Sequence, residues 1–117
     1  MTLGELSKAM GWTNLTPELD AVSDPDVASG YASDLLSDVL ANAPESGVWV
    51  TVQVHLNVVA VAAHTGLAAV VFAARRRPEE SVRLKAVEEK VRLFTSSLSA
   101  FDVIGRLYEA GVRGGPA

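Results

Sequence analysis

Apolar residues recur along this chain in two periods, and the change from one period to the other marks out its segments. Thr2-Leu3-Gly4-Glu5 has capping-box spacing, and Leu3, Leu6 and Met10 follow at helical intervals up to Gly11, which predicts a short first helix. Residues 12–16 read as a brief strand, and an acidic, turn-rich connection through Pro17, Asp20, Asp24 and Pro25 leads to a further strand at residues 27–31. From Ser33 or Asp34, the residues Leu35, Leu36, Val39, Leu40 and Ala43 trace one helical face, which Pro44 closes. Residues 48–53 are β-branched at alternate positions and read as an interior strand. Asn57 is placed to cap a short helix that ends at Gly66; its valines fit a strand nearly as well, and the order of its neighbours decides for helix.

Residues 67–73 form a second continuous apolar strand, Pro78 with Glu79 and Glu80 opens a charged helix to about Glu89, and residues 91–94 make another strand. Ser99 and Asp102 cap a last helix whose expected apolar face is Phe101, Ile104, Leu107 and Tyr108. Apolar strands alternating with helices at this spacing imply an α/β fold: a mostly parallel sheet of four to five strands with helices on both faces. The 117 residues suit one domain over positions 1–113, with Gly114-Gly115-Pro116-Ala117 as a flexible tail.

With 49% hydrophobic residues and a mean hydropathy of +0.23, the chain is too apolar to be intrinsically disordered. The uncharged run 48–74 exceeds the roughly 20 residues that a bilayer requires. Thr51, Gln53, His55, Asn57, His64 and Thr65 are scattered through it and Gly66 interrupts it, so it reads as strand, helix, strand and no membrane partner is expected. The amino terminus lacks the basic region and long apolar run of a signal peptide, and a cytoplasmic location is expected.

The net charge of −4 and a pI near 5.0 argue against a nucleic-acid partner, which requires a cationic surface. The charge is also unevenly spread, with eight acids against Lys8 in residues 1–47, none in 48–74, and nine basic against six acidic side chains in 75–117. Such asymmetry is compatible with self-association, with an anionic ligand near the arginines, and with unselected surface charge. A helix-turn-helix beginning at Glu5 is disfavoured, because its second helix would carry Glu18, Asp20 and Asp24 towards phosphates.

Without cysteine, and with two histidines, the chain has no evident metal constellation, and neither a Gly-x-Ser-x-Gly elbow nor a Walker loop is present. No catalytic residue, metal or cofactor is assigned. In parallel sheets ligands bind beyond the carboxyl ends of the strands. Gly30, Tyr31, Ser33 and Asp34 follow one expected strand, Gln53, His55 and Asn57 the next, Arg75, Arg76 and Arg77 the third, and Thr95, Ser96 and Ser97 the fourth. These residues are candidates for a pocket that accepts a phosphate or carboxylate group; helix capping accounts for the Ser, Asn and Asp among them equally well.

The segment Gly30-Tyr31-Ala32-Ser33-Asp34-Leu35-Leu36-Ser37-Asp38-Val39 resembles the Gly-Tyr-x-Ser-Asp-Leu-Leu-Ser-Asp-Val segment of the DRTGG domain family. Shorter matches follow at residues 48–53, at 55–62 and from Leu98-Ser99 to Leu107-Tyr108, so the resemblance spans almost the whole chain. It implies a fold like that of the MurF and HPr kinase/phosphorylase N-terminal domains, and a non-catalytic regulatory or interaction role, dimer-forming, with a homodimer as the expected partner. The alternative is a receptor for a nucleotide or phosphorylated metabolite at the strand-end edge. The literal Asp-Arg-Thr-Gly-Gly string is absent, and Ala73-Ala74-Arg75-Arg76 stands where the family's Thr-Gly-Gly loop is expected.

Overall fold

The capping box closes as its spacing requires. In the computed structural model, which describes residues 1–115, the Glu5 N–H donates to the Thr2 hydroxyl (3.2 Å) and the Thr2 N–H to the Glu5 carboxylate (3.0 Å), starting helix α1 at Leu3–Met10. The remaining elements follow in the order β1 (Thr13–Asn14), a 3-10 turn (Pro17–Leu19), β2 (Ser29–Ala32), α2 (Leu36–Asn42), β3 (Gly47–Thr51) and α3 (Asn57–Thr65). After them come β4 (Ala69–Phe72), α4 (Glu80–Glu88), β5 (Leu93–Thr95) and α5 (Ala100–Glu109). Gly66 takes the left-handed conformation (φ 67°) that ends α3 and turns the chain into β4.

The five strands make one sheet in the order β1-β5-β4-β3-β2. Strands β2 to β5 run parallel, and β1 lies antiparallel on β5. Alternate strand residues face opposite layers. Trp49, Val70, Phe72 and Leu93 pack with Val39 of α2, Val58, Val59 and Ala62 of α3, and Val82 and Ala86 of α4. Val48, Val50, Ala69, Val71 and Phe94 turn the other way, towards Leu3 and Leu6 of α1 and Val103 and Leu107 of α5. Every residue of β3, β4 and β5 is buried because helices cover both faces, which is why these strands are apolar almost throughout. The protein is therefore an α/β fold on a mostly parallel five-stranded sheet.

The outer edge of β2 is covered in part by the carboxyl-terminal segment: the Gly30 N–H donates to the Arg113 carbonyl (2.9 Å), and Gly114 bridges Gly30 in parallel. A Cβ at Gly30 would stand 3.2 Å from the Val112 side chain, so glycine allows this close approach. Gly114 and Gly115 of the expected tail are thus described, while Pro116 and Ala117 lie outside the described residues.

The structure corrects three local expectations. Helix α2 starts at Leu36, beyond Ser33 and Asp34, because the Asp34 carboxylate bonds to β3 instead of capping the helix. Asn57 is the first residue of α3 and makes no side-chain cap, the capping position being Leu56. Helix α5 buries Val103 and Leu107, whereas Phe101, Ile104 and Tyr108 of the expected inner face point outward. It carries two apolar stripes, and the sheet takes the aliphatic pair spaced i, i+4.

Candidate functional site

Parallel strands end on one side, so the four connections after β2, β3, β4 and β5 share a rim. The candidate residues nonetheless fall into three neighbourhoods. At the β2–β3 corner the polar groups satisfy one another. The Thr51 hydroxyl donates to Asp34 Oδ1 (2.7 Å), which also accepts the Val52 N–H (2.9 Å). The Trp49 indole donates to the Ser33 carbonyl (2.8 Å), and the Ser33 hydroxyl accepts the Leu35 N–H (3.1 Å). The Tyr31 hydroxyl donates to the Asp38 carboxylate (2.8 Å), which also accepts from the Asn42 amide (3.0 Å). Asn42, then Tyr31 and Ser33, hold the Asp38 carboxyl below its ordinary range, and the bond to Asp38 pushes the Tyr31 phenol up. Gly30, Tyr31, Ser33 and Asp34 are thus engaged in tying β2 to its neighbours.

The second neighbourhood is an open cleft of about 660 Å³ between the β3–α3 connection and the start of α4. Gln53 and His55 line one side, and Arg77, Glu79, Ser81 and Lys85 the other. His55 Nδ1 accepts the Asn57 N–H (3.1 Å), so the neutral ring carries its proton on Nε2. The Lys85 ammonium is paired with Glu89 (3.1 Å) and Glu88 (3.7 Å), and the bond to Glu89 raises its pKa.

The third is a hollow of about 260 Å³ between the β4 and β5 connections. Its walls are Arg75, Arg77, Thr95, Ser96 and Ser97, joined by Gly11 and Thr13 from the amino-terminal segment. Backbone bonds knit the two connections together: Ala74 N–H to Leu98 carbonyl (2.7 Å), Arg75 N–H to Ser96 carbonyl (2.8 Å) and Ser96 N–H to Phe72 carbonyl (2.8 Å). The Thr95 hydroxyl donates to the Arg76 carbonyl (2.8 Å), which fixes the arginine run from within. Ala74 and Arg75 both adopt left-handed backbone, with φ of 57° and 61°. For residues with a Cβ this costs about 1–2 kcal/mol each. Arg75 and Arg77 make no ion pair among the described residues, and the lining contains no carboxylate. The Ser96 oxygen accepts the Leu98 N–H (3.2 Å) and leaves its own proton available.

The fold therefore gathers Arg75, Thr95, Ser96 and Ser97 in one hollow, places Gln53 and His55 in the neighbouring cleft, and leaves Arg76 outside both linings. Asn57 contributes to a separate cavity of about 330 Å³ between α3 and α4. Arg77, which lines both hollow and cleft, was visible in the sequence as part of a basic triplet. Thr13 and Gly11 come in through the antiparallel pairing of Thr13 with Thr95, which no local pattern announces. Among the described residues no three His, Asp or Glu side chains gather to hold a metal ion, and no helix is long and apolar enough to cross a membrane. Compared with known proteins, the chain matches no family model and no curated relative.

Proposed function

We propose that this chain is a non-catalytic regulatory domain that binds an anionic small molecule through a phosphate or carboxylate group seated between β4 and β5. The observation that carries the reading is the lining of that hollow: two arginines that have no ionic partner among the described residues, donor hydroxyls at Ser96, Ser97 and Thr13, and no carboxylate. Guanidinium groups match the geometry of phosphate and carboxylate oxygens, and a backbone-knit loop holds them ready. The hollow suits a phosphate-sized group, and Arg77 joins it to the larger cleft, where the remainder of a nucleotide or sugar phosphate has room.

The DRTGG resemblance gains support from the backbone of Ala74 and Arg75. Both residues hold the conformation that glycine adopts freely, at the position where the family's paired glycines are expected. Guanidinium groups then stand in for part of the anion contact that bare glycine backbone would supply.

The test is a thermal-unfolding screen against inorganic phosphate, pyrophosphate, nucleotides and sugar phosphates. At least one is expected to raise Tm in a concentration-dependent way, and Arg75→Ala/Arg77→Ala is expected to abolish the rise while leaving the unliganded Tm unchanged. A screen with no responding compound overturns the proposal, as does a double variant that responds like the parent.

A further inference from the structure

A further cleft lies on the opposite face of β1 from the hollow. It measures about 400 Å³ and is walled by α1, β1, the loop after the 3-10 turn and the amino end of β5. Neighbouring residues of an extended segment point opposite ways, so Thr13 lines the hollow while Trp12 and Asn14 turn into this cleft. The floor is apolar: Leu3 and Phe94 are buried, and the half-buried Trp12 ring lies 5.7 Å from that of Phe94 at a tilt of 50°. The rim carries charge of both signs, Lys8 and Arg92 against Asp20 and Asp24.

None of these four groups makes an ion pair among the described residues, yet three of them are held in place. Asp24 Oδ1 accepts the Gly4 N–H (2.7 Å), and Asp20 Oδ1 accepts from the Asn14 amide (3.0 Å). Arg92 Nη2 donates to the Ser23 carbonyl (2.9 Å) and hydroxyl (2.6 Å). Each group is engaged at one end. The second oxygen of either carboxylate, and Nε and Nη1 of the guanidinium, bond to nothing among the described residues. A Cβ at Gly4 would stand 2.9 Å from Asp24 Oδ2 and push it aside, so glycine keeps that carboxylate against the helix. Charged groups fixed at one atom and open at another lose little freedom when a ligand arrives.

We propose that this cleft binds a free amino acid with an apolar or aromatic side chain. Arg92 and Lys8 take its carboxylate, Asp24 and Asp20 take its ammonium, and its side chain lies over Leu3, Trp12 and Phe94. The balance of charge selects that class. A polyanion would meet two carboxylates and a polyamine two cations, whereas a zwitterion offers each sign to its opposite. The volume stands near the lower end of the roughly 300–1,000 Å³ of small-molecule sites, which suits a molecule the size of one amino acid.

Isothermal titration calorimetry with L-phenylalanine tests this. An open cleft of this kind suits a Kd of about 0.1–1 mM. N-acetyl-L-phenylalanine, which lacks the ammonium, and L-phenylalaninamide, which lacks the carboxylate, are each expected to bind about tenfold more weakly or worse. Asp24→Asn keeps an acceptor for the Gly4 N–H and is expected to weaken L-phenylalanine by about tenfold while shrinking its advantage over the acetylated compound. Arg92→Gln is expected to shrink its advantage over the amide. Arg75→Ala/Arg77→Ala is expected to bind L-phenylalanine like the parent, so this outcome is separate from that of the phosphate screen. No heat of binding up to about 10 mM, equal binding of the three compounds, an Asp24→Asn chain that binds like the parent, or loss of binding in the double arginine variant overturns the proposal.

Discussion

Asp34 stood among the ligand candidates, and the structure gives its carboxylate a different employment that can be weighed. Asp34→Ala removes the acceptor of two donors: the hydroxyl of Thr51, which is 1% exposed, and the half-buried Val52 N–H. Hydrogen bonds to a charged partner contribute about 1.5–3 kcal/mol each. Water replaces the carboxylate readily at Val52 and poorly at Thr51, so the expected loss is about 2–4 kcal/mol. Against a typical stability of about 5–15 kcal/mol this is a large fraction. For a chain of this length it lowers Tm by about 8–15 °C. Urea unfolding followed by tryptophan fluorescence reads it directly, since Trp49 is fully buried and its indole bonds to the Ser33 carbonyl beside the lost contact. Asp34→Asn keeps a neutral acceptor and is expected to lose about half as much. In a double-mutant cycle with Thr51→Val, the two changes are expected to couple by about 1–2 kcal/mol. An alanine variant within about 0.5 kcal/mol of the parent refutes the argument. So does a variant of unchanged stability that no longer responds to phosphate, because Asp34 would then be serving a ligand.

Ala74→Gly relieves a left-handed residue at the cost of a freer unfolded chain, and the first effect is expected to win by about 0.5–1 kcal/mol; a fall in Tm contradicts the strain assigned to this loop. Arg83 bonds to Glu80 (2.7 Å) and Glu18 (2.8 Å), holding the Glu80 carboxyl below its ordinary range and adding to the lowering that Glu18 draws first from its own backbone. Depressed folded-state values stabilise above the unfolded pKa, and that contribution is lost as pH falls through the folded ones. Arg83→Gln should therefore lower Tm at neutral pH and flatten its decline on acidification, while Tm profiles that run parallel to low pH count against the pairing.

What the sequence disclosed follows from where its information is local. Strands β3 and β4 are covered on both faces, so burial leaves an uninterrupted apolar signature, and the Thr2 and Ser99 caps are written within four residues of the helices they start. On helix α5 hydropathy points Phe101, Ile104 and Tyr108 inward beside Leu107, whereas the sheet accepts Leu107 together with Val103 and leaves the other three outside. At the rim, parallel order made the convergence of four connections legible. It did not reveal that Asp34 would be drawn across to Thr51, nor that β1 would carry Gly11 and Thr13 to the arginines, since both depend on which strands become neighbours.

The hollow and the outer stripe of α5 are separated by little chain. Ser96 and Ser97 wall the hollow, Leu98 accepts the Ala74 N–H and packs into the core layer shared with α1 and α5, Ser99 caps α5, and Phe101 begins the outer stripe. An anion that draws Arg75 and the Ser96 hydroxyl together therefore acts on the same connection that seats the first turn of α5.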